Sequence, residues 1–71
     1  MKLEDVVYLI KLYQPYWIND TNTGDILSDE EISDELFISW MGRNVLSIEA
    51  TIDTIQDGGR LRNRGVVVIT I

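Results

Sequence analysis

Seventy-one residues with a net charge of −6 and 45% hydrophobic content make one domain at most, too apolar for intrinsic disorder. With no cysteine and no histidine, disulfides and thiolate or imidazole zinc sites are excluded. The usual general base and the strongest nucleophile are missing too, so no enzymatic activity and no cofactor are expected.

The chain is also acidic in a lopsided way. Residues 1–35 carry −7 and residues 36–71 carry +1. That balance disfavours general nucleic-acid binding and suits solubility or a basic partner. The longest apolar run, "GVVVI" from Gly65, is far too short for a membrane span, and acids at Glu4 and Asp5 do not resemble a secretory leader. A cytoplasmic protein with no membrane contact is expected.

Leu3, Val6, Val7, Ile10 and Tyr13 fall three or four apart and predict a helix over about residues 2–13. Glu4 and Asp5 begin it, Lys11 lies in its last turn, and Pro15 stops it. Tyr8 and Leu9 widen the stripe, which predicts a well-buried helix. Tyr16-Trp17-Ile18 and Ile26-Leu27 flank a polar turn ending at Gly24, the pattern of a short hairpin.

Ser28-Asp-Glu-Glu31 has the form of a capping box, with Ile32, Leu36, Phe37, Trp40 and Met41 as the apolar face behind it. Gly42 stands where a left-handed C-terminal residue belongs, so a helix is predicted over about residues 29–41. A strand through residues 36–40 competes, because those residues favour strands.

From Val45 to Ile55 the chain alternates, with Leu46, Ile48, Ala50 and Ile52 on the face expected to meet the core. Asp57-Gly-Gly59 is turn chemistry, and Val66 to Ile71 is a β-branched run. The two strands should form an antiparallel hairpin around a loop from Gln56 to Gly65, with extension of the strands into that long loop as the alternative. The order helix, short hairpin, helix, hairpin predicts a single α+β domain over residues 1–71, with its helices on one face of a small antiparallel sheet. The closing run is apolar on both faces, so it lies centrally or a second copy covers it; a homo-oligomer is expected.

The stretch "NDTNTGDILSDEE" from Asn19 looks like a calcium loop, but no register fits. From Asp20 the glycine falls one position early; from Asn19 the first ligands become Asn19, Thr21 and Thr23. A turn followed by a helix cap explains it better. The acids Asp29, Glu30, Glu31, Asp34 and Glu35 would form one ridge on the second helix. A solvated face is the plain reading; recognition is the sharper one, since an acidic ridge can imitate phosphates in a basic site. Arg60, Arg62 and Arg64 share one face of an extended chain and could grip phosphate or carboxylate. As a solvated loop, or as the counterpart of a neighbouring copy's acids, they would need no nucleic acid. Trp17, Trp40, Tyr8, Tyr13 and Tyr16 are expected to be mostly core.

"DTNTGDILSDEEI", "WMGRNVLSIEA" and the closing "VVVITI" resemble small acidic proteins encoded by phages and prophages of Gram-positive bacteria. That resemblance implies an accessory role without catalytic residues, in some cases as an inhibitor of a host enzyme. The expected function is therefore binding of a host or phage protein through Asp29–Glu35. The alternatives are nucleic-acid binding through Arg43, Arg60, Arg62 and Arg64, or a homo-oligomeric structural module.

Overall fold

Ile18 and Ile69 sit side by side on two strands that run in the same direction, although they lie at opposite ends of the chain. Their pairing organises the molecule, a computed structural model that describes residues 1–10 and 14–71. The elements are α1 (Leu3–Leu9), β1 (Tyr16–Asp20), β2 (Asp25–Ser28), α2 (Asp34–Trp40), β3 (Ser47–Asp57) and β4 (Arg60–Thr70). Among the described residues, two helices and a four-stranded sheet make an α+β fold.

The sheet has the order β2-β1-β4-β3. β1–β2 and β3–β4 are antiparallel hairpins, but β1 and β4 are parallel, from Tyr16↔Val67 to Asn19↔Thr70. The sheet is therefore mixed, not wholly antiparallel as the sequence suggested. The apolar run Val66–Ile71 falls on the strand between β1 and β3, which explains why both its faces can be apolar.

The pairing places Leu27, Ile18, Ile69 and Ile48 in one row on one face. Leu3, Val6 and Trp40 cluster with Ile18, Ile69 and Ile71 as the core. The amide of Leu3 donates to the Arg43 carbonyl (2.9 Å) and that of Val45 to the Met1 carbonyl (2.7 Å), which pins the N-terminus beside the segment after α2. Burial of side chains as large as Leu, Ile and Val contributes about 1.5–3 kcal/mol each before conformational entropy is set against it.

α1 ends at Leu9, and Ile10 is already extended (φ −77°, ψ 132°), so the helix is shorter than its stripe implied. Lys11 and Tyr13, expected in its last turn, lie outside the described residues. Tyr8 is 88% exposed and Leu9 is exposed as well, against the expectation of a well-buried helix and a core tyrosine. Only the Leu3–Val6 side of α1 reaches the core, and a helix this short has little intrinsic stability of its own.

α2 begins five residues later than the capping box suggested. Ser28 belongs to β2, opposite Trp17, and its hydroxyl donates to Glu31 Oε1 at 3.0 Å across a tight turn. The N-cap is Ser33, whose Oγ accepts from the Leu36 amide at 3.2 Å. Residues 36–40 are helical and not a strand. Gly42 does not take a positive φ; the helix closes on Met41 with right-handed geometry, and the Arg43 amide donates to the Trp40 carbonyl.

β3 and β4 extend through the whole 56–65 segment to a two-residue turn at Gly58 and Gly59, closed by the Asp57↔Arg60 pair. The arginines expected in a loop thus stand on a strand. The apolar stripe of β3 is uncovered: Leu46 is 66%, Ile48 50% and Ile52 70% exposed. Alternation marked those residues as one face correctly, but no helix reaches over them.

Candidate functional site: an acidic groove across the sheet

On the face opposite the core row, Trp17, Ile26, Ser28, Asp53 and Arg64 share one side of the sheet, because Trp17 pairs with Ser28 and Asp53 with Arg64. The turn after β2 brings Glu30 and Glu31 alongside. Together these seven residues line an open groove of about 400 Å³.

Each wall follows from local structure. β1 is only five residues long, so β4 runs on beyond it and leaves Arg64 without a β1 neighbour. Arg64 instead turns to its partner across the hairpin, with Nε 3.4 Å from Asp53 Oδ2. Both side chains are partly buried. At the other wall the Glu31 amide donates to the Ser28 carbonyl (3.0 Å), so residues 28–31 turn back and hold Glu31 over the strand end. With Glu30, Glu31 and Asp53 against Arg64, the lining carries a net charge of −2.

Of the expected binding residues, the structure unites Glu30, Glu31 and Arg64. Asp29 stands in the same turn, and its amide donates to the Tyr16 carbonyl, but it does not line the groove. Asp34 and Glu35 begin α2 on the far side of Ser33. The five acids are therefore not one helical ridge. Arg60, Arg62 and Arg64 do share a face, but Arg62 Nη1 lies 2.9 Å from Asp57 Oδ2 and Arg64 is held by Asp53. Trp17, expected in the core, stands half-buried in the groove instead, and Ile26 and Asp53 were read only as strand residues. The only signal that could have found them is strand register, which requires knowing that β1 lies beside β4.

The calcium-like stretch has a structural use. Asp20 is 4% exposed and accepts from Arg43 Nη1 at 2.7 Å and from the Asn22 amide at 2.9 Å. The Arg43 hydrogen bond holds its carboxyl below the usual range against the opposing effect of burial. Gly24 supplies the positive φ (77°) that closes the turn into β2.

No protein-family model, curated protein or solved structure matches this chain. Among the described residues no helix is long and apolar enough to cross a membrane, and no cluster of three acidic side chains has metal-binding geometry.

Proposed function

We propose that this protein is a non-enzymatic accessory protein that binds another protein by taking a basic side chain into the groove of Trp17, Glu30 and Glu31. The observation that supports this is the convergence of two carboxylates from one turn with an indole from the adjacent strand. An ammonium or guanidinium entering there gains charge-assisted hydrogen bonds and an aromatic face. In this reading both helices cover one face of the sheet and the other face is left for the partner. A cytoplasmic host or phage protein with an exposed lysine or arginine is the partner that fits, in keeping with the resemblance to phage accessory proteins.

The arginine row supports nucleic-acid binding less well, because Arg62 and Arg64 already hold carboxylates. Titration with lysine-rich and arginine-rich peptides at low salt tests the groove. A saturable shift of the Trp17 indole resonance is expected, weakened by salt and lost in the E30K/E31K variant. No shift at low salt, or an undiminished one in the variant, overturns the reading.

A further inference from the structure

The two edges of the sheet are unlike. β2 is a four-residue edge, short enough to discourage further pairing. β3 is an eleven-residue edge without proline or lysine, in unbroken one-to-one register with β4, and its apolar stripe is bare. The amides of Val67 and Ile71 donate toward β1, so the alternate residues of β4 face β3. Opposite them stand the odd-numbered residues of β3, down to the Asp57↔Arg60 pair. The even-numbered residues Ile48, Ala50, Ile52 and Thr54 therefore direct their amides and carbonyls to the open side.

From that edge we infer that β3 pairs antiparallel with β3 of a second copy, about a two-fold axis at Ala50, to give one continuous sheet across both copies. The sequence of the strand selects the partner and the register. Centred on Ala50, Ile48 meets the second copy's Ile52 and Ile52 meets its Ile48, on the bare face. On the other face Glu49 meets Thr51 and Asp53 meets Ser47, so no two acids lie directly opposite. Centring on Thr51 would set Glu49 against Asp53, and centring on Glu49 or Asp53 would set each against itself. Centring on Ile52 keeps acids apart but sets Glu49 against Ile55 and Ile48 against Gln56.

In the register centred on Ala50, Ser47–Asp53 of each copy pair along about 23 Å, over half of the molecule's 40 Å length. Beside this edge, a mostly apolar groove of about 440 Å³, lined by Met1, Val6, Leu9, Ile10, Ile48, Val67 and the polar Gln14, continues the same surface. The second copy's Ile52, brought against Ile48, borders this groove and covers side chains that α1 leaves bare. A two-fold contact uses the same segment of β3 on both copies, so the interaction closes on itself at the dimer. The bare apolar face lies on the other side of the sheet from the Trp17 groove, and the paired edge shares only Asp53 with that groove, so failure of either proposal leaves the other standing.

Light scattering of the full chain across a concentration series is the test, with I52K, I48E and the I48E/I52K double variant alongside. Both positions are exposed in the monomer, so each variant should fold, as circular dichroism will verify. A dimeric wild type is expected, with each single change weakening association about tenfold or more. The double variant should regain it, because the carboxylate introduced at position 48 of one copy then faces the ammonium introduced at position 52 of the other. A wild type that stays monomeric at the highest soluble concentration overturns the dimer. A double variant no tighter than the singles overturns the register.

Discussion

Arg43 Nη1 and Asp20 Oδ1 meet at 2.7 Å, tying the segment after α2 to the end of β1. Asp20 is nearly enclosed, whereas the Arg43 side chain keeps about a quarter of its exposure. Such a contact holds a carboxylate that could not otherwise remain charged where it sits. It also fixes the strand end from which β2 turns back.

Replacing Arg43 with methionine should therefore cost about 3 kcal/mol at pH 7, the lower end of what breaking a buried pair costs, because the Arg43 side chain is partly exposed. Urea unfolding will measure it. Asp20 has a folded-state pKa below its ordinary 3.8, so its contribution is present above that value and is lost as pH falls through the depressed one. Wild-type stability should drop below about pH 4, and D20N, already weaker at pH 7, should show a smaller drop.

Tyr16 makes the opposite case. Burial, and secondarily the charge of Asp29, raise its phenol above 10.0. Because its folded pKa is the higher one, its contribution is present below about pH 10 and is lost as pH rises through the raised value. Absorbance titration of the tyrosinate should show Tyr16 ionising late, and Y16F should blunt alkaline unfolding. A Y16F variant whose alkaline unfolding matches the wild type would assign that transition elsewhere.

The local devices of this fold were legible where a few adjacent residues decide them. The polar turn around Gly24, the Asp57-Gly-Gly59 turn and the alternation of β3 all depend on neighbours in sequence. The parallel pairing of Tyr16 with Val67 does not, and no local pattern announces it. That pairing makes the sheet mixed and carries β4 past β1, which creates the groove. Glu30, Glu31 and Arg64 could be singled out by charge, but Trp17 and Asp53 join them only through register. Periodicity likewise marked Leu46, Ile48 and Ile52 as one apolar face. Whether that face is covered depends on how far α1 and α2 reach, which periodicity does not encode.

The two serines near α2 show how close the competing signals lie. Both Ser28 and Ser33 precede acids and an apolar residue, but the pairing of Ser28 with Trp17 commits it to β2. S33A should cost about 1 kcal/mol through loss of the bond to the Leu36 amide. S28A removes only an exposed hydroxyl contact with Glu31 and should change stability by a few tenths of a kcal/mol at most. Equal losses in thermal unfolding would contradict the placement of the helix start.

The β3–β4 turn offers the sharpest backbone test. Gly58 and Gly59 have φ of 57° and 81°, both in the left-handed region, as a two-residue turn matching the twist of the strands requires. A Cβ at either position would meet nothing within 4 Å, so any penalty comes from the backbone and not from crowding. G58N should therefore be nearly neutral, because asparagine tolerates this region. G59V should cost about 1–2 kcal/mol from the left-handed strain alone. The loss should concentrate in the outer hairpin, where Arg62 holds Asp57, and amide exchange should rise from residues 54–63 before the Ile18–Ile69 core responds. Uniform loss of protection in G59V would mean instead that the hairpin and the core unfold as one unit.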